Sequence, residues 1–221
     1  MTLLGLDSST SAASAAVVGD DGAAFDLTPP AERLGRPPAH ASELMPAVAD
    51  VMQRAGVGWG DLDAIAVGVG PGTFTGLRIG IATARALATA AELPLRRVSS
   101  LAALAAGIDA QLRLPLIDAR RGEVFAAGWR GDERFLDPVA IAPAELAARL
   151  EPGILAVGDG AVKFRDELER AGAVVPADDS PAHRVSAPEV CRLGAAGDPA
   201  DRDALLPDYR REPDAKPPRL P

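Results

Sequence analysis

Val69-Gly70-Pro71-Gly72-Thr73-Phe74-Thr75-Gly76-Leu77-Arg78-Ile79-Gly80 leaves an apolar run, Asp63-Ala64-Ile65-Ala66-Val67-Gly68, and enters a helical pattern that continues to about Ala91. The run predicts a strand over 63–69, and its continuation a helix over 74–91. A turn rich in glycine and hydroxyls at a helix start presents backbone N–H groups, as phosphate sites do. Within the helix Gly76, Gly80, Ala84 and Ala88 recur every fourth residue. Residues four apart share a face, so the pattern predicts a groove almost without side chains, against which another helix can lie.

The phosphate reading fits the turn poorly. A P-loop carries Lys then Ser/Thr after its last glycine, whereas the only lysines are Lys163 and Lys216. For a Gly-x-Gly-x-x-Gly fingerprint Gly76 follows Gly70-Pro71-Gly72 one residue too late, and Pro71 removes a donor. The turn therefore reads as a tight strand-to-helix connection capped by Thr73 or Thr75, and the helix face as a protein contact.

With 221 residues, 48% hydrophobic and 24% charged, the chain has material for one large domain or two small ones. No apolar run reaches the ~20 residues of a membrane span, and the first residues show no basic stretch ahead of an apolar core. The single cysteine, Cys191, rules out an internal disulfide framework and fits a reducing, cytoplasmic setting. It falls in a predicted helix, 187–195, as a small buried hydrophobe. The net charge of −8 and the dispersed arginines argue against tight RNA binding by the chain alone.

Working outward, 3–7, 12–18 and 23–27 read as three strands joined by Ser8-Ser9-Thr10-Ser11 and Gly19-Asp20-Asp21-Gly22. A Pro-rich loop leads to a helix over 42–55 with Ser42 as N-cap and an apolar stripe of Leu44, Val48, Val51 or Met52, and Ala55. A strand at 95–98 and a helix at 100–107 follow. The grammar then repeats. A hairpin of 114–118 and 123–129 turns at Ala119-Arg120-Arg121-Gly122, with a short strand at 140–141. Next come helix 143–150, strand 154–157, the loop Gly158-Asp159-Gly160 and helix 162–171. Each half opens with a hairpin whose first strand ends in an aspartate, Asp7 or Asp118. Two such halves describe the two-lobed, duplicated α/β architecture of the actin-like/Hsp70-like (ASKHA) type. The expected lobes are 1–108 and 109–221, with the tail after about 205 packing back on the first.

The run Gly70 to Gly80 closely resembles the signature of the TsaB (YeaZ) family. Leu6-Asp7-Ser8-Ser9, His40-Ala41-Ser42-Glu43-Leu44-Met45-Pro46, Asp118-Ala119-Arg120-Arg121-Gly122-Glu123-Val124-Phe125 and Pro207-Asp208-Tyr209-Arg210 add to the likeness, in the family's order and over nearly the whole chain. The resemblance implies a subunit of the machinery that places threonylcarbamoyl on N6 of adenosine 37 in tRNAs reading codons that begin with A. It implies a TsaD-like catalytic partner, a TsaE-like ATPase reached through the complex, and contact with tRNA only indirectly. The subunit itself is expected to do no chemistry and to dock through its first two helices. The residues expected at that contact are Leu44, Val48, Met52, Phe74, Gly76, Leu77, Arg78, Gly80, Ile81, Ala84 and Ala88. Left without its partner, such a surface predicts a homodimer.

Catalytic candidates are few. TsaD-like relatives hold a metal through Asn-His-Leu-Glu-Gly-His, where this chain has Ser99-Ser100-Leu101-Ala102-Ala103-Leu104. Two imidazoles a turn apart can grip a metal, whereas Ser100 and Leu104 cannot. The two histidines, His40 and His183, stand far apart in sequence, the first at a helix start or interface and the second in a solvated loop. Asp7, Ser9, Asp118, Gly158 and Gly160 occupy the places of a nucleotide cleft. The turns beside the aspartates are bulkier than phosphate-binding glycine turns, so the aspartates read as turn caps in a vestigial cleft. No metal or cofactor is expected, and nucleotide binding at most weakly. A small-molecule kinase or ATPase of the same fold is the alternative, and a metallopeptidase a more distant one.

Overall fold

The computed structural model describes residues 1–210 of the chain. Arg211, Glu212 and Pro213 of the polar tail, and Lys216, lie outside the described residues. The strands are β1 (Leu3–Asp7), β2 (Ser14–Val18), β3 (Ala24–Leu27), β4 (Ala64–Gly70) and β5 (Leu95–Ser99), then β6 (Leu112–Arg120), β7 (Glu123–Arg130), β8 (Glu133–Ile141), β9 (Leu155–Val157) and β10 (Pro199–Ala200). Among them run α1 (His40–Ala55), α2 (Phe74–Ala90), α3 (Ser100–Ala106), α4 (Pro143–Ala147), α5 (Asp159–Lys163), α6 (Arg165–Arg170) and α7 (Ala187–Ala196).

Two mixed sheets result, ordered β10-β5-β4-β1-β2-β3 and β8-β7-β6-β9. They share one plan. In each, a hairpin (β1/β2, β6/β7) is extended by a third antiparallel strand (β3, β8), and the first strand pairs in parallel with one reached through helices (β4) or through a helix and loops (β9). The repeat read in the sequence is thus a repeat of topology. β8 is a full nine-residue strand where the sequence suggests only 140–141; its start is exposed and polar, which hides it from an apolar pattern. The predicted helix 162–171 is instead two short helices that meet at Phe164.

Period-two side-chain alternation sorts the core into three layers. Leu4, Leu6, Ile65, Val67 and Val69 point to α1 and α2, meeting Leu44, Val48, Ile81, Ala84 and Ala88. Leu3, Ala64 and Ala66 point the other way, toward α3, α7 and one face of the second sheet, where Ile117, Phe125 and Ala127 lie. Leu114, Leu116, Val124 and Ala126 form the far layer with α4, α5 and α6. The order is helices, sheet, helices, sheet, helices. α7 packs on the first sheet and β10 joins that sheet's edge, so the chain after residue 186 returns to the first half.

Candidate functional site

The turn from β4 into α2 faces inward. Gly70 N–H donates to Ser100 Oγ and Thr73 N–H to the Ser9 carbonyl at 2.7 Å, and Pro71 follows a cis peptide bond. Donors used internally are not offered to a phosphate. Thr73 is the N-cap residue, but its hydroxyl makes no capping bond, and α1 starts two residues earlier than expected with Ala39, not Ser42, at the N-cap.

The small-residue stripe of α2 also faces inward, which corrects the expectation of an open groove. Gly76, Leu77, Gly80, Ile81, Ala84 and Ala88 are all buried within the chain, as are Leu44, Val48 and Met52 of α1. A β-carbon on Gly76 would run into the Ser8 carbonyl and lie 2.6 Å from Thr73 Oγ1, and one on Gly80 would overlap Ser8 Oγ. The glycines are there because the β1–β2 turn comes too close for any side chain. Of the eleven residues expected at the contact, only Phe74 and Arg78 are exposed.

The open side of this helix pair is the opposite one. Along α2 it carries Thr75, Arg78, Ala82 and Ala86, and along α1 Ala41, Ser42, Met45, Pro46, Ala49 and Gln53. Apart from Arg78 near one end, and Met45 and Gln53, these side chains are small or compact, so another helix can approach closely. α1 and α2 touch each other, and a shallow cavity of about 300 Å³ separates their starts, lined by Pro38 to Ser42, Thr75 and Ile79. Beneath it His40 is buried at 2% exposure, and neither ring nitrogen has a hydrogen-bond partner among the described residues. Burial holds this imidazole below its usual range against the pull of the Asp7 carboxylate.

Asp7 and Asp118 do not face each other across an open cleft. Asp7 is fully buried, accepting from Ser9 N–H at 2.8 Å, Ser9 Oγ at 2.6 Å and Ser100 Oγ at 2.7 Å. Burial raises its pKa, opposed by these bonds. Asp118 accepts from Arg120 N–H and from Lys163 Nζ at 2.9 Å on both oxygens, with Arg120 Nη1 at 3.2 Å. Both carboxylates cap their own turns, residue i to i+2. The second is also neutralised by a lysine that a motif search has no reason to single out. Its signal is its position four residues after Asp159, on the same short helix.

A cavity of about 570 Å³ opens beside this pair, between the 34–38 loop and α5, lined by Arg36, Asp118, Arg120, Asp159 and Lys163 among others. Asp159 Oδ1 accepts from Asp118 N–H, and burial, reinforced by the Asp118 charge, pushes its pKa up to about 6. Gly158 and Gly160 do not line the cavity. Gly158, at φ 104°, donates its N–H to His183 Nδ1, while Gly160 packs on the Leu116 backbone. His183 is therefore wholly buried, not solvated, its other nitrogen 3.1 Å from the Pro176 carbonyl. Cys191 lies buried in α7 against Gly5, its thiol pushed up to about 12. Among the described residues, no group of three or more His, Cys, Asp and Glu is placed to hold a metal ion, and no helix is long and apolar enough to cross a membrane.

The family model that describes TsaD, tRNA N6-adenosine threonylcarbamoyltransferase, matches residues 37–158. The chain is 32% identical to the tRNA threonylcarbamoyladenosine biosynthesis protein TsaB of Escherichia coli K12, over 96% of this chain and 95% of that one. It is 28% identical to the protein of the same name from Bacillus subtilis 168, over 80% and 82%. The solved structure of YeaZ from Pseudomonas aeruginosa superposes with a TM-score of 0.77 at 30% identity, covering 94% of this chain and 99% of that one. With the two repeated sheets, this likeness makes the fold the duplicated actin-like one.

Proposed function

This chain belongs to the TsaB family, named for tRNA threonylcarbamoyladenosine biosynthesis, and we propose that it takes part as the non-catalytic partner of a TsaD-family transferase. The observation that carries this reading is the outer face of α1 and α2. Ala41, Ser42, Ala49, Thr75, Ala82 and Ala86 leave two helix backbones open to close approach. The match of residues 37–158 to the enzyme's own family model supports the choice of partner. The enzyme carries counterparts of this helix pair, and two related chains can set such pairs together about an approximate twofold axis. Alone, the chain pairs with a second copy through the same face; in the complex the enzyme takes that copy's place, and a TsaE-like ATPase joins the pair.

A structural role for the cleft carboxylates supports the absence of chemistry here. Asp7 is held by three hydrogen bonds and Asp118 by a lysine and an arginine. Each holds its turn, with both oxygens of Asp118 and most of the acceptor capacity of Asp7 already engaged.

The test is to purify the enzyme with and without this chain and to assay threonylcarbamoyl transfer to tRNA. Transfer that depends on the chain, together with no ATP turnover by the chain alone, is the expected outcome. Turnover by the chain alone identifies the kinase or ATPase alternative instead.

A further inference from the structure

At the first turn of α2 two distant parts of the chain meet. Leu205 is buried in the core beneath α1 and α2, and Asp208 N–H donates to the Val69 carbonyl at 2.7 Å. This lays Tyr209 against the start of the helix. Its ring stacks on Phe74 with centroids 5.6 Å apart and planes at 24°. The Arg78 guanidinium lies 3.8 Å from the Phe74 ring centroid and donates from Nε to Tyr209 Oη at 2.9 Å.

The three side chains form a closed triangle, yet both rings remain open to solvent, Phe74 at 53% and Tyr209 at 44% exposure. An aromatic pair with an arginine, immobilised and half exposed, has the make-up of an interface hot spot: large rings and a guanidinium whose rotamers are already fixed. Offset stacking and the cation over the ring hold it together.

We propose that the segment Leu205–Tyr209 completes the partner surface, with Tyr209 positioning Phe74 and Arg78 for the transferase chain. The inference rests on the reading of α1 and α2 as the docking face. The triangle adjoins Thr75 on that face, and α2 lies within the stretch shared with the enzyme's family model, so in the proposed complex the enzyme's own helix pair lies against it. Nε of Arg78 is engaged by Tyr209, and the residue as a whole is exposed, which leaves its terminal amino groups for the partner. They take a carboxylate or main-chain carbonyl of the enzyme, flanked by apolar surface that packs on Phe74.

The experiment is calorimetric titration of the purified chain and its variants into the transferase, with thermal unfolding of each variant alongside. Tyr209→Ala is expected to weaken binding about tenfold or more with little change in unfolding temperature. Tyr209→Phe, which keeps the stack and loses the hydrogen bond, falls between that variant and the wild type. In a double-mutant cycle Tyr209→Ala and Arg78→Ala are expected to be strongly non-additive, because the tyrosine acts through the arginine. Additive losses overturn the positioning role, since a tail that merely stabilises the fold gives additivity. Unchanged affinity of Tyr209→Ala overturns the inference alone if Ala82→Arg still abolishes binding. Unchanged affinity of both overturns the docking face as well.

Discussion

Ser8 fills the space that a side chain on Gly80 would need. Its Oγ would overlap that β-carbon and donates to the Gly76 carbonyl at 2.9 Å, so one buried hydroxyl ties the β1–β2 turn to α2. The glycine stripe is the seat of this turn, and its substitution acts on folding before it acts on any partner.

Gly76→Ala is expected to be the more damaging change, because its β-carbon meets a main-chain carbonyl that cannot turn away. Gly80→Ala meets a hydroxyl that can rotate at the loss of one hydrogen bond. Overpacking costs about 1–3 kcal/mol, and Gly76→Ala should sit at or above the top of that range. Urea unfolding of both variants measures it. Equal and negligible effects would mean that the turn moves freely off the helix.

Asp7→Ala is expected to destabilise by about 1–3 kcal/mol, since it orphans buried donors at Ser9 and Ser100. Asp7→Asn keeps the acceptor on Oδ1 and is expected to be milder. Transfer activity at a temperature where both variants are folded should remain within a few-fold of normal. A loss of about a hundredfold or more, the scale of removing a transition-state donor, would contradict the structural role.

Asp159 gives a pH dependence whose sign is fixed by its raised pKa. Its folded-state value of about 6 lies above the ordinary 3.8, so between these values the folded state binds more protons than the unfolded one. Stability from this group is fully present below about pH 3.8 and is lost as pH rises through about 6. Asp159→Asn keeps the acceptor for Asp118 N–H without the charge. It is expected to be more stable than wild type at pH 8, by no more than about 2 kcal/mol, with the gap shrinking toward pH 5. Thermal melts across that range test it, and a gap that widens on acidification would contradict the assignment.

Much of this was legible in the sequence. Leu4 and Leu6 alternate with Leu3 and Gly5 as a strand buried on both faces must, and the hairpins ending in Asp7 and Asp118 mark the repeat. The sidedness of α2 was not legible. It is rich in small residues all round, and only the depth of the Ser8 turn decides that Gly76 and Gly80 face in while Ala82 and Ala86 face out. Nor does any local pattern bring Tyr209 to Arg78 across 131 residues, or Lys163 to Asp118 across 45; tertiary packing alone makes those pairs.

The isolated chain is expected to leave tRNA unbound at about 150 mM salt, because counterion release needs clustered cations and the net charge is −8. Arg120 and Arg121 project from an exposed turn, but Arg120 already pairs with Asp118. Micromolar binding with a steep salt slope would reveal a phosphate-reading surface and contradict this.

The most direct measurement of the central claim is the affinity of the Ala82→Arg variant for the TsaD-family transferase, by calorimetry, beside its unfolding temperature. Ala82 is exposed on the outer face of α2, one turn beyond Arg78 and opposite the buried stripe. The expected result is a chain that unfolds like wild type, binds at least about a hundredfold more weakly, and no longer supports transfer to tRNA, because a long charged side chain holds the two helix pairs apart. Wild-type affinity in this folded variant would contradict the claim that the chain docks through the outer face of α1 and α2.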